Sequence, residues 1–222
     1  MNLFADSLGL STLVFGWLCW GAALIWALIK APWFKVKGDR SAQNIFLAMT
    51  VVVMLIWQFG ASLGDGLTFH FLLVTLMVLM FGAQFAMIGA SLALLMVTFY
   101  ADLGWLGLGI NGFLMILVPV LITSMLVYMS EHYLEQNFFV YVFFNGFLAG
   151  ALSVVTALSL GGMVMWLNDV FPPKVLAENF FPFIPMMATP EGFVNGMLIA
   201  AIIAFKPEWV ATFHDDTHLN GK

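Results

Sequence analysis

Long apolar runs, separated by short polar or glycine-rich joints, repeat along nearly the whole chain. In hydrocarbon every backbone N–H and C=O must be satisfied within the segment, so such runs predict transmembrane helices. The pattern places them at residues 12–29, 44–59, 69–81, 84–100, 113–129, 138–167 and 189–205. The pair within 69–100 needs a separate argument. Residues 70–101 are apolar throughout, and one straight helix of that length would measure about 48 Å against roughly 30 Å of hydrocarbon. Gly82 and Gly89 offer breaks, and the run divides into two short helices, at least one of them tilted or not fully crossing.

Charge orients the bundle. Lys30, Lys35, Lys37 and Arg40 lie in one joint, four of the seven basic residues, and the positive-inside rule makes that joint cytoplasmic and the start of the chain external. Dividing 69–100 in two puts Lys206 and Lys222 inside as well and leaves only Lys174 outside. The expected fold is all-α: a polytopic membrane helical bundle of about seven segments, N-terminus outside and C-terminus cytoplasmic. It forms one integral membrane domain over 1–222, with an external segment 1–11 and a polar cytoplasmic tail 207–222, in the inner (plasma) membrane.

Composition agrees and narrows the chemistry. Of 222 residues, 63% are hydrophobic and 9% charged, with a mean hydropathy of +1.02, which a soluble domain could not hide. The net charge is -5 and the basic residues form no stripe, so nucleic acid is not a partner; lipid is. Cys19 is the single cysteine and excludes an intrachain disulfide or a cysteine-based metal site. The first eleven residues lack a basic n-region and a cleavage site, so residues 12–29 read as a retained span. No GxxxxGK[ST], HExxH, GxSxG or CxxC occurs, which argues against ATP hydrolysis or enzymatic chemistry by this chain.

The candidate functional residue is His70, just after the turn Gly64-Asp65-Gly66 at the edge of an apolar run. An ionisable residue at membrane depth marks a functional site by default; the alternative is a polar helix-start residue at the lipid–water boundary. Ala23 and Ala27, four apart, form either a partner surface or an ordinary packing face. Gly146 and Gly150 suggest a second close-packing face, and Asn145 a buried amide that needs a partner. The Pro- and Phe-rich stretch 168–189 is expected to lie on the membrane surface or cap the bundle. Thr189-Pro190-Glu191 reads as a helix start, with Glu191 complementing the dipole. Glu131, His132 and Glu135 read as a solvated turn, and His214-Asp215-Asp216-Thr217-His218 as a polar tail. Fifteen methionines, among them Met163, Met165, Met186 and Met187, could supply soft copper donors, but scattered along lipid-facing helices they read as packing.

Four stretches together resemble the substrate-capturing membrane subunit of energy-coupling-factor nickel/cobalt transporters, the CbiM/NikM-type family. They are Gly66-Leu67-Thr68-Phe69-His70-Phe71-Leu72, the segment from Asp102 to Asn111, Phe147 to Val155, and Pro190-Glu191-Gly192. The resemblance implies that the N-terminal segment tucks into the bundle from outside and that Met1, Asn2, His70 and Asn111 build or line the substrate site. Met1 and His70 are then the expected metal ligands. The family pattern has a histidine at the second position, where this chain has Asn2, a harder and weaker donor. The resemblance further implies a transition-metal ion such as nickel or cobalt as substrate, no permanently bound cofactor, and a separate coupling membrane protein with an ATPase pair, docked at the Ala23/Ala27 face. The other reading is a non-transporting scaffold or assembly factor that keeps the permease fold and holds a partner membrane complex.

Overall fold

The computed structural model describes residue 3 and residues 7–59, 61–62, 68–101 and 104–213, of which 61, 62, 68 and 69 by backbone only. Among the described residues six helices are long and apolar enough to cross a membrane. They are α1 (Leu10–Lys30), α2 (Arg40–Gln58), α4 (Ala83–Tyr100), α5 (Trp105–Tyr133), α6 (Phe138–Leu167) and α8 (Phe183–Phe205). Two shorter α-helices are α3 (Val74–Phe81) and α7 (Pro173–Asn179), and a two-residue antiparallel pairing of Ala61–Ser62 with Thr68–Phe69 precedes His70. The expected break within 69–100 is present at Gly82, whose φ of 82° is one that glycine adopts without penalty.

The short helix α3 is the centre of the molecule. Residues Val74 to Met80 are all buried, so its sequence is apolar on every side rather than amphipathic. Eight residues rise only about 12 Å, so both helix ends lie inside the protein, and their backbone groups need partners there. At the first end the side chains of Glu191 and Asn195 accept the free N–H groups. At the other, the N–H groups of Ala211 and Thr212 donate to the carbonyls of Met80 and Leu79, and Thr212 Oγ1 donates to Leu79 O. Val210 and Phe213 are buried beside this join. Residues 207–213 therefore belong to the bundle and not to a polar tail: α3 requires them as its C-terminal cap. Residues 214–222 lie outside the described part.

The long helices pack around α3 where side chains are smallest. A Cβ on Gly16 of α1 would stand 2.5 Å from the backbone of Ile110, and Gly109 and Gly112 of α5 lie against Trp17 and Trp20 in the same way. Gly146 and Gly150 of α6 face Gly196 and Asn195 of α8, the close-packing face the spacing suggests. The outward face of α1 carries Leu18, Ile25 and Ile29, exposed as lipid-facing residues are. Ala27 is fully buried in the chain's own core and Ala23 is packed beside it, so the expected partner surface at Ala23/Ala27 is corrected. Those small residues serve intramolecular packing.

Helix α8 begins at Phe183, not at the Thr189-Pro190-Glu191 helix start. Pro190 is thus interior, an arrangement tolerated in membrane helices when freed backbone groups find other partners. Thr189 Oγ1 donates back to Pro185 O in that turn. Between α6 and α8 the chain folds over the bundle end, with Leu176 and Phe180 buried, which is the capping arrangement. Lys35 and Lys206 line one hollow of about 670 Å³ together with Met80 and Gly82, so the basic joint, the end of α3 and the end of α8 share one face of the bundle. Helix α2 starts at that face and leads away to the loop that carries His70.

Candidate functional site

His70 stands in the extended segment that leads into α3, 6% exposed. Its ring lies 5.8 Å from the Trp57 ring, centroid to centroid. Nδ1 is 3.1 Å from the carbonyl of Phe71. A carbonyl can only accept, so that contact puts the proton on Nδ1 and the lone pair on Nε2. The imidazole is therefore inside the bundle, and the helix-start reading at the lipid boundary does not hold.

Glu191 fixes the segment. Its Oε2 accepts from Leu72 N at 2.9 Å and its Oε1 from Leu73 N at 2.8 Å, while Asn195 Nδ2 donates to Oε1 at 2.9 Å. Leu73 adopts φ 52°, the left-handed region, at a cost of about 1 kcal/mol for a residue with a Cβ. That turn is what lets two successive N–H groups converge on one carboxyl group. Trp57 Nε1 donates to Leu72 O at 3.1 Å, and Asn195 Oδ1 accepts from Leu76 N at 2.9 Å. Side chains of two helices, α2 and α8, thus hold residues 72 and 73 and the first turn of α3 in one conformation.

Asn111 holds a second segment. It is 4% exposed, and its side chain accepts from Leu3 N at 2.8 Å and donates to Leu3 O at 3.0 Å, pairing with one residue as a neighbouring strand would. Leu3 itself is buried in the main core. Asn111 thereby holds Leu3 inside the bundle. One turn further along α5, Leu114 and Met115 line a small cavity with His70, Leu72, Leu158 and Met187. Its volume, about 10 Å³, admits about one water-sized occupant.

Of the residues singled out from the sequence, His70 and Asn111 are brought to neighbouring parts of this end of the bundle, while Met1 and Asn2 lie outside the described residues. Glu131, His132 and Glu135 remain exposed, with the His132 ring 4.0 Å from that of Tyr128, consistent with a solvated turn. Among the described residues no group of three His, Cys, Asp or Glu side chains could hold a metal ion. The buried amide expected at Asn145 is present, 2% exposed, its Oδ1 without a hydrogen-bond partner among the described residues.

Glu191 and Asn195 hold the His70 segment by hydrogen bonds that the pattern concealed. Glu191 sits beside a proline and glycine that imitate a helix start; the contrary signal was a carboxylate within an apolar run. Asn195, one turn on, repeats that signal.

A family model described as cobalt uptake substrate-specific transmembrane region matches residues 3–209. Two solved structures share the fold. One, described as a transition metal transporter, aligns with a TM-score of 0.75 at 17% identity over 100% of both chains. The other, a truncated transition metal transporter, gives 0.73 at 18% identity over 94% of this chain and 99% of its own. No curated protein matches. The family model covers the basic joint, the His70 segment, the Asn111 dock and the Glu191 clamp together, and the chain belongs to the CbiM family of cobalt-uptake transmembrane components.

Proposed function

We propose that this protein is the substrate-capturing membrane component of an energy-coupling-factor transporter for a transition-metal ion, taken up from outside. The observation that carries the reading is the double hydrogen bond between Asn111 and Leu3, one helical turn from the cavity that His70 lines. It holds Leu3 in the part of the bundle where His70 is buried, which supports a site built from both. In this reading His70 and Met1 supply metal ligands, and Asn2 and Asn111 contribute to the substrate site. The Glu191 clamp keeps the segment 70–73 from rearranging, so the imidazole is preorganised for capture.

The basic joint and Lys206 share the face opposite the His70 loop, which the positive-inside rule assigns to the cytoplasm. Capture then takes place on the outer side. With no ATPase motif in the chain, energy comes from a separate ATPase pair through a coupling membrane protein.

The test is metal accumulation in cells that express the full system with wild-type protein or with His70→Ala. The substitution is expected to abolish uptake of the cognate ion at unchanged protein level in the membrane. Equal uptake of Ni, Co, Cu, Zn and Mn by both would remove the metal assignment.

A further inference from the structure

A second amide ties down the beginning of the chain. Asn111 holds Leu3 from α5, and Asn168, the residue after α6, holds the chain where α1 begins. Asn168 Oδ1 accepts from Gly9 N at 2.8 Å and from Thr12 Oγ1 at 3.0 Å, across 159 and 156 residues of sequence. Its Nδ2 donates to Val164 O at 2.8 Å, which fixes the amide to the last turn of α6.

A helix leaves its first N–H groups without intrahelical partners, and a side chain at the residue just before it ordinarily accepts one. Gly9 occupies that place in α1 and has no side chain to offer. A Cβ there would stand 3.2 Å from Asn168 Oδ1, so glycine is what lets the distant amide come close. The cap of α1 is thus supplied by another helix and doubles as a tether. Leu3 is buried in the main core and Leu8 packs against the same core, so the segment 3–9 is packed and hydrogen-bonded towards both ends. The two helices that hold it also flank His70: Leu114 of α5 and Leu158 of α6 line the cavity with the imidazole. A segment tied at one end loses conformational freedom when a ligand orders it, and a second tie removes part of that loss in advance.

We propose that Asn168 is a positioning residue for substrate capture: with Asn111 it holds the segment 3–9 between the two helices that flank His70, so that the ion meets a segment already in place. This rests on the reading given above, in which the residues before Leu3 share a site with His70, and adds its second anchor.

The variant Asn168→Asp separates this role from a merely structural one at the end of α6. Aspartate keeps an oxygen for Gly9 N and Thr12 Oγ1, and its charge suits the N-terminal end of α1. It loses the donation to Val164 O and sets a negative charge at the C-terminal end of α6, so it spares the tether and weakens the helix end. Asn168→Ala loses both.

The experiment uses the purified full chain in detergent, with Mn(II), Co(II), Ni(II), Cu(II) and Zn(II) each offered by equilibrium dialysis and amide exchange read by mass spectrometry. Wild-type protein is expected to bind one equivalent of at least one of these ions, and His70→Ala to lose it. Asn168→Ala should weaken binding of that ion by about threefold or more and quicken exchange in the peptide that carries Gly9. Asn168→Asp should bind within about twofold of wild type even where its thermal unfolding midpoint falls. In an Asn111→Ala background, Asn168→Ala should add less than about twofold, because a segment already released at Leu3 has no placement left to lose. Asn168→Ala protein that binds the ion like wild type overturns the positioning role and leaves the capture reading standing. So does Asn168→Asp protein as weak as Asn168→Ala, which assigns the effect to the end of α6. Binding of none of the five ions, or binding that His70→Ala does not alter, overturns both.

Discussion

Replacing Glu191 by Gln tests whether the clamp on residues 72–73 sets the site. The carboxyl group accepts two backbone N–H bonds and one from Asn195, all at 2.8–2.9 Å, and the side chain is 1% exposed. Glutamine keeps the shape but turns one acceptor oxygen into an NH₂ group, so one of these N–H groups faces a donor with no water to turn to. A buried polar group left unsatisfied costs about 1–3 kcal/mol. With Leu73 already in the left-handed region at about 1 kcal/mol, the loss falls on a strained turn that keeps the Trp57 bond to Leu72 O. Taking about 2 kcal/mol as the destabilisation of the closed segment, metal affinity should fall by up to about 30-fold. Hydrogen exchange at the Leu72 and Leu73 amides should quicken in parallel. The assays are metal titration of the purified protein and exchange read by mass spectrometry, with Glu178→Gln as control, since that side chain is exposed in an i,i+4 pair with Lys174. A Glu191→Gln protein with wild-type affinity and wild-type exchange at these amides would refute the argument.

Asn111→Ala removes both hydrogen bonds to Leu3, about 2 kcal/mol at about 1 kcal/mol each. The start of the chain should become accessible to an added aminopeptidase, with metal affinity falling while the unfolding midpoint of the bundle stays near wild type. Gly16→Ala sets a Cβ 2.5 Å from the Ile110 backbone and should destabilise the α1–α5 contact by about 1–3 kcal/mol. Thermal unfolding in detergent reads this against Gly21→Ala, where a Cβ meets nothing within 4 Å and stability should hold or rise slightly.

The helical membrane architecture was legible in the chain because lipid leaves few alternatives. An apolar run must satisfy its own backbone, and basic residues gather on one side. The break at Gly82 followed from length alone, since 32 apolar residues are too long for one crossing and too continuous for a loop. His70 stood out for the same reason, as an ionisable group where water is scarce. The start of α8 was misplaced because Pro190 and its neighbours are local signals, and the packing of Glu191 against α3, 118 residues away in sequence, overrides them.

The sequence by itself determined the class of fold, the order of the apolar segments, and the one imidazole worth following. Only the tertiary structure decided that α3 would be capped from both sides by residues of α8 and of the segment after it. It also decided that Ala27 would face inward and that His70, Leu114 and Leu158 would line one cavity. The division has a physical cause. Hydrophobicity and helical hydrogen bonding act between near neighbours and can be read along the chain. The partner of a buried polar group is chosen by which distant side chain arrives with the matching atom, and that is known only once the helices have packed.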